Sequence, residues 1–374
     1  MKYLFILGRN PELSVKEIFS YLSARGLEIL SHELIENALL IELEKEIEDI
    51  VDELGGVISI GEVLTEGNFQ DLIKKLDNIT LYPGKENKFN YVVWGFCDEE
   101  YYYELGGYLR KRFKEEKLKA SEKPLTGLME LQSGNKIKIV GNRVSEQFFL
   151  FSSDSKSFYF GKTIYEFNSS DVEKRDMNKP SRRSELAISP RMAKIMINLA
   201  RVKENDKIID PFCGVGIILT EALLKKIKVV GIDFDMNAVE GAAENLLWNK
   251  FNKNEYKLIT DDSRKIKINE TLSALVCEPD FGELLRKIPT EANAKKTLKN
   301  YEDLMISVIN NLKRNVHGKF VFTAPLILMF NKKRKRANIE KIVQETGLKL
   351  ADGFPIDDFR KDQIVGREIV VLER

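Results

Sequence analysis

An α/β fold built on a parallel, Rossmann-like sheet is predicted by three observations. Ile208-Ile209-Asp210 reads as a short buried strand, Gly214 and Gly216 punctuate a tight turn after it, and the apolar run Ile217, Ile218, Leu219, Ala222 and Leu223 follows at helical spacing. Strand, glycine turn and helix in that order make the first crossover of such a sheet, whose ligands sit at the carboxyl ends of the strands. Glycines in the turn let the backbone approach a ligand with no Cβ in between.

The next elements extend the pattern. Val229-Val230-Gly231-Ile232 reads as a second strand with Asp233 at its carboxyl end. An acid about 20 residues after the glycine turn is where such folds hold the hydroxyls of an adenosine ribose; the same acid could simply cap a helix. The third glycine of many dinucleotide binders would fall at Leu219, and no Gly-Lys-Ser/Thr follows. A phosphate-cradling loop is therefore excluded.

The length of 374 residues suits two or three domains with cores of their own. With 59 basic against 58 acidic side chains, overall charge implies no partner, and a nucleic-acid surface would have to be a local patch. Cys97, Cys213 and Cys277 lie far apart with no metal-like pairing. An odd count argues against a disulfide framework and suits a reducing, cytoplasmic setting. No signal peptide is read at the start and no apolar run reaches the length of a membrane span, so no membrane partner is expected.

Taken in order, residues 1–64 read as a small α/β domain. Tyr3–Leu7 is a strand, Asn10-Pro11 opens a helix carrying Leu13, Ile18, Tyr21 and Leu22, and Ala38–Ile41 is a second strand. An acidic amphipathic helix is expected from there through Leu54. Residues 65–168 form a second segment, with strands at Tyr91–Phe96 and Phe148–Phe151. Between them Tyr108 to Lys119 reads as a basic helix, where Arg110, Lys111 and Arg112 could grip RNA phosphates beside aromatic rings or form an ordinary charged face. Residues 169–184 are polar, as a linker should be, and bring cations including Arg182 and Arg183 to its end. The last domain, 185–374, begins with a helix capped by Ser189-Pro190.

Several stretches together resemble one family. They are Arg175-Asp176-Met177-Asn178-Lys179-Pro180, Ser189-Pro190-Arg191-Met192-Ala193, Met196–Ala200 and Asp210-Pro211-Phe212-Cys213-Gly214-Val215-Gly216. The opening Tyr3–Ser14 and the closing Arg367–Glu373 carry the same likeness. The family is the class I methyltransferases that act on guanosine N2 in tRNA, with ferredoxin-like and THUMP domains before the catalytic one. The resemblance implies a ferredoxin-like domain at 1–64, THUMP at 65–168 and a seven-stranded Rossmann-like methyltransferase domain at 185–374. It also implies S-adenosyl-L-methionine as cofactor, tRNA as partner, guanosine at position ten as target, and room for a small activating subunit. On it, Pro190, Asp210, Phe212, Cys213, Gly214 and Gly216 would surround the cofactor. Asp233 would hold its ribose and Asp262, after the strand Lys257–Ile259, its adenine, with Phe234 and Ser263 also among the cofactor-binding residues.

After the fourth strand, Ser273–Cys277, the family has Asp-Pro-Pro-Tyr; this chain has Glu278-Pro279-Asp280-Phe281. A guanine amine is a poor nucleophile because its lone pair is delocalised into the ring. A carboxylate and a backbone carbonyl beside proline could accept its N–H groups and aim the lone pair at a methyl donor. An aromatic ring could stack on a base withdrawn from its helix. Here the acid is one methylene longer, Phe281 keeps the ring without a hydroxyl, and Asp280 replaces the second proline. A DNA adenine N6-methyltransferase and a tRNA binder with altered target or no catalysis are the competing readings; a nicotinamide-dependent oxidoreductase would need the absent glycine. Downstream, Lys332–Arg336 is the densest positive run and is expected to start a helix, as a phosphate contact or as a solvated face. Leu348–Leu350 and Ile364–Leu372 are expected to finish the sheet as an antiparallel pair.

Overall fold

The computed structural model describes residues 1–182, 188–282, 285–361 and 363–374, and divides into two compact units. The first comprises Met1–Pro11, Leu27–Asp52 and Val57–Phe167. Its strands are β1 (Lys2–Leu7), β2 (Ile29–Ile35), β3 (Ala38–Leu43), β4 (Val57–Gly67), β5 (Lys88–Phe96), β6 (Lys119–Glu122), β7 (Gly127–Glu130), β8 (Lys136–Ile139), β9 (Glu146–Phe151) and β10 (Phe158–Glu166). All but the β7–β8 hairpin join one sheet in the order β2-β3-β1-β4-β10-β9-β5-β6. β4 pairs with β1 on one side and β10 on the other, so strands of the two amino-terminal segments share a single hydrogen-bonded sheet.

Two sequence expectations in this unit meet a different outcome. No α-helix forms between β3 and β4; a single 3₁₀ turn, Val51–Glu53, stands in its place. Glu44, Glu46, Glu48 and Asp49 would crowd one short helix, and the Ile47 N–H donates to the Tyr3 hydroxyl (3.3 Å) rather than to a carbonyl one turn back. The basic helix begins earlier than expected, spanning Glu99–Glu115, with Leu105, Leu109 and Phe113 buried at spacings of four.

The second unit collects Glu12–Gly26, Glu53–Gly56 and Asn168–Arg374. The helix α1 (Pro11–Ala24) falls here although its sequence neighbours lie in the first unit. Leu13 joins the core formed by Ala193, Met196 and Ile197. Glu17, wholly buried, accepts the N–H groups of Gly55 and Gly56 (both 2.7 Å) and the Asn198 amide (2.7 Å). The expected linker forms a helix, Ser169–Asn178, capped by Asn168. None of its side chains is buried, and that is why its composition reads as a linker.

The unit's main elements are, in order, α5 (Pro190–Leu199), β11 (Lys207–Asp210), α6 (Ile217–Leu224), β12 (Lys228–Asp233), α7 (Met236–Trp248), β13 (Tyr256–Thr260), β14 (Ala274–Cys277), α8 (Glu291–Leu312), β15 (Phe320–Leu328), β16 (Arg334–Arg336), α9 (Ile339–Thr346), β17 (Lys349–Leu350), β18 (Ile356–Asp358) and β19 (Val365–Glu373). The sheet runs β13-β12-β11-β14-β15-β19-β17, with β16 and β18 added at β15 and β19. Strands β11 to β15 are parallel, while β19 is antiparallel to both β15 and β17, as expected. Ile208 and Val276 face one core, Ile209 and Leu275 the other, so helices cover both faces. The run Lys332–Arg336 does not open a helix. Arg334–Arg336 pairs with β15, and α9 starts only after Asn338, which caps it. Cations at a helix start oppose its dipole, whereas in the hairpin Lys335 meets Glu291 (3.0 Å) and Arg336 meets Glu368 (2.7 Å). Among the described residues no helix is long and apolar enough to cross a membrane, and no cluster of His, Cys, Asp and Glu could hold a metal ion.

Replacing Glu17 with Ala strands three buried donors at once. The expected loss of unfolding free energy in denaturant titration is about 3 kcal/mol, and a loss under about 0.5 kcal/mol would show that water satisfies those donors.

Candidate active site

The turn after β11 takes its shape from where its polar groups can go. Asp210 ends the strand fully buried, and its Oδ1 accepts the Phe212 N–H (3.0 Å). The Cys213 N–H donates to the Ile232 carbonyl (2.9 Å), tying the turn to the next strand. Gly214 (φ 50°) and Gly216 (φ 83°) are left-handed, and Gly216 caps α6. A Cβ built on Gly214 would meet nothing within 4 Å, so the turn faces open space. Asp233, at the end of β12, accepts the Gly214 N–H (2.9 Å) with one oxygen and the Asp235 N–H (3.0 Å) with the other. One carboxylate therefore fixes two adjacent strand tips.

These tips wall a cavity of about 580 Å³, within the range of small-molecule sites. Asp210, Phe212, Cys213 and Gly214 line it, as do Asp233, Phe234 and Asp235. So does the whole of Glu278, Pro279, Asp280, Phe281 and Gly282. Sequence reasoning missed the far wall: Pro325 and Ile327 of β15, and Gln363, Ile364, Val365 and Arg367 at and before β19. Arg367 is the informative omission. It pairs through Nε with Glu278, whose side chain is only 11% exposed. An arginine next to a glutamate inside the apolar strand Val365–Glu373 was the available signal, because charges buried in a strand need partners.

The electrostatics are those of crowded acids. Burial pushes Asp210 well above the ordinary carboxylate range; the Phe212 N–H opposes this, while Asp233 and Glu278 add to it. Burial also raises Glu278, offset in part by the Arg367 charge, its hydrogen bond and the Ile188 N–H. Burial raises the thiols of Cys213 and Cys277, so neither is poised as a nucleophilic thiolate. The loop after β14 turns on Asp280, whose Oδ1 accepts the Gly282 N–H (2.9 Å). Phe281 meets the Tyr301 ring edge-on, centroids 6.0 Å apart.

Other residues singled out in the sequence lie elsewhere. Gly216 and Pro190 border a small neighbouring recess with Arg175 and Glu221. Asp262 and Ser263 are not among the cavity's lining. Asp262 is held ionised by Arg264, which brings it down to about 2, and the buried Ser263 hydroxyl donates to the Pro211 carbonyl (2.7 Å). Ser263 thus braces the glycine turn from behind. Arg110 pairs with Glu122 (2.8 Å), and Lys111 is exposed. Arg112 is not a free cation: its guanidinium is spent on the carbonyls of Leu76 and Ile79 and on Glu116. Arg182 is exposed and contacts the Met177 sulfur. Arg183 lies outside the described residues.

A parallel sheet with an acid-stapled glycine turn and a cavity at its strand tips defines a Rossmann-like fold with a small-molecule-sized site where such folds hold their ligands. Residues 175–347, all within the second unit, are similar to the family described as UPF0020, RMKL-like, methyltransferase domain. The chain is similar to the tRNA (guanine(10)-N2)-dimethyltransferase of Methanothermobacter thermautotrophicus, 35% identical over 42% of this chain and 43% of that protein. The protein of the same name from Methanocaldococcus jannaschii is 28% identical over 54% of this chain and 56% of that one. The chain thus spans about half the length of these relatives. The crystal structure of TrmN from Thermus thermophilus shares the fold, with a TM-score of 0.54 at 13% identity over the whole of both chains.

Because Arg367 holds Glu278 down against its burial, removing the guanidinium lets burial act alone. In Arg367→Met the Glu278 carboxyl is expected to take its proton at a higher pH than in the native protein, followed by ¹³C-carboxyl NMR titration. An unmoved titration would mean that Arg367 does not set its charge.

Proposed function

We propose that this protein transfers a methyl group from S-adenosyl-L-methionine to the exocyclic N2 amine of guanosine at position ten of a tRNA. The observation that carries the reading is that the Gly214 turn, Asp233 and the Glu278–Phe281 loop all line one cavity. The names of the relatives favour a guanine over an adenine target.

The cavity's residues fit the cofactor. Gly214 leaves its backbone uncovered, the walls are largely apolar, and the polar groups that converge are mostly carboxylates. A sulfonium nucleoside is cationic and would relieve the crowding that raises Asp210. When bound, it supplies an electrophilic methyl group. Asp233 would hold the ribose hydroxyls, since each oxygen has a lone pair left after its backbone bond. Phe212, Phe234 and Cys213 would cover the nucleoside. Ser263, turned to the Pro211 carbonyl, would act by bracing the turn, Asp262 would contact the adenine only by releasing Arg264, and Pro190 and Gly216 would act by shaping the turn.

Glu278 and a backbone carbonyl beside Pro279 would accept the two N–H groups of the guanine amine. Held so, the lone pair points at the methyl donor, and misplacement by about 1 Å costs on the order of 100-fold in rate. Arg367 bears on this directly by opposing the rise that burial causes in the longer acid and by fixing its position. Phe281 would stack on the flipped base. Residues 1–64 would correspond to the ferredoxin-like domain and 65–168 to THUMP, with Arg110, Lys111, Arg182 and Arg183 as tRNA contacts. Such phosphate contacts make affinity fall with salt.

The test is incubation of the chain with labelled S-adenosylmethionine and unmodified tRNA, followed by nucleoside analysis. Label is expected in N2-methylated guanosine, and activity without an added protein shows whether an activating subunit is needed. Tight tRNA binding without label would favour the non-catalytic alternative, which Asp280 and the longer Glu278 support. Glu278→Ala should abolish transfer with cofactor affinity nearly intact, whereas Asp233→Ala should weaken cofactor binding by roughly 10- to 100-fold, the loss of a charge-assisted hydrogen-bonding group. Unchanged turnover in the first variant would refute the role given to Glu278.

A further inference from the structure

The run Lys332–Arg336 divides in two once its surroundings are seen. Arg334, Lys335 and Arg336 are each engaged by other groups of the protein. Arg334 donates to the carbonyls of Leu326 (3.3 Å), Arg360 (3.0 Å) and Gln363 (2.8 Å) and stacks on Phe359, 4.0 Å from its centroid. Lys335 and Arg336 meet Glu291, Glu368 and Asp357. Lys332 and Lys333 do neither. They sit exposed at the tip of the β15–β16 hairpin beside Phe330, whose ring is 75% exposed.

The tip is built, not loose. The Met329 N–H donates to the Lys333 carbonyl (2.9 Å), and the Lys332 N–H to the Met329 carbonyl (2.9 Å). The Asn331 side chain takes the Lys333 N–H (3.0 Å), and Lys332 is left-handed with φ 61°.

Its location is the cavity's rim. β15 contributes Pro325 and Ile327 to the cavity wall, and the hairpin continues from the carboxyl end of that strand, the edge where ligands bind. The Leu328 N–H donates to the Ile364 carbonyl (2.8 Å). With Arg334, this locks the hairpin to the segment holding Gln363, Ile364 and Val365, which is also cavity wall. That segment carries two more exposed cations, Arg360 and Lys361. Lys332 and Lys333 thus flank an exposed ring at the mouth of the site, with a second pair of cations on the loop bound to it.

We infer that the β15–β16 hairpin is an RNA-gripping lip, in which Phe330 stacks on an unpaired base next to the target nucleotide and Lys332 and Lys333 bind the flanking phosphates. Cations beside a flat exposed ring are the composition by which proteins hold unstacked nucleotides. A protein partner would be recognised by burying an apolar patch, and this rim offers one ring among charges. The inference rests on the proposed function, since it takes tRNA as the substrate.

The test uses the full chain and the same unmodified tRNA. Wild-type methylation comes first: if no label reaches the tRNA, the proposed function fails, and this inference with it. If wild type is active, Phe330→Ala should weaken tRNA binding on the order of 10-fold, as loss of one stacked base does. Lys332→Met with Lys333→Met should lower the slope of log affinity against log salt by roughly 1 to 2. Cofactor affinity and the thermal midpoint should be unchanged in both, because neither site touches the cavity floor or the core. A photo-crosslinking amino acid at position 330 should join to nucleotides beside the methylated guanosine. Active enzyme with unchanged tRNA affinity and salt slope, or crosslinks remote from the methylated base, would overturn the inference.

Discussion

Asp233 accepts one backbone N–H from the glycine turn after β11 and another from the turn after β12. Those two bonds set the distance between neighbouring strand tips and hence the floor of the cavity. A neutral or longer side chain could not satisfy both donors in the same place. Both bonds are part-buried and one partner is charged, so each contributes to holding the turn in place. Ser263 reinforces it from behind through the Pro211 carbonyl, and Asn245 does so through the Val215 carbonyl (2.9 Å). The glycine turn is therefore held from several sides before any ligand arrives.

The second consequence is charge. Bringing Asp210, Asp233 and Glu278 to adjacent strand tips in a largely apolar cavity raises the buried acids. Among the described lining residues one cation, Arg367, answers them, delivered by the antiparallel strand β19. The cavity thus suits a cationic small molecule on one side while keeping a carboxylate available on the other. The same logic separates the two kinds of basic residue in this protein. Arg112 and Arg334 spend their guanidinium groups on backbone carbonyls and hold loops together, whereas Lys332 and Lys333 stay in water. Arginine's planar, multidentate group suits the first task and the compact ammonium the second.

Much of the second unit could be read from residue order. Short β-branched runs, glycines and strand-end acids are local signals, and each of β11, β12, β13 and β14 formed where its signal lay. The errors came where local pattern and environment disagree. The acidic stretch after β3 has helical spacing but carries too many like charges and loses its Ile47 N–H to a tyrosine. The segment 169–178 looks like a linker because it buries nothing, yet it is helical. The run at 332–336 is cationic enough for a helix-surface stripe, but distant acids draw it into a hairpin.

By itself the sequence determined the individual strands, the glycine turn, the acid at the end of the second strand and the loop after the fourth, because each is signalled by residues within a few positions of one another. Only the tertiary structure decided that α1 packs into the second unit, that Arg367 neutralises Glu278 from 89 residues away, and which cations remain exposed at the rim. The physical reason is common to all three. An ion pair, a buried carboxylate or an exposed lysine is defined by what surrounds it in space, and local spacing carries no record of a partner supplied by a distant strand.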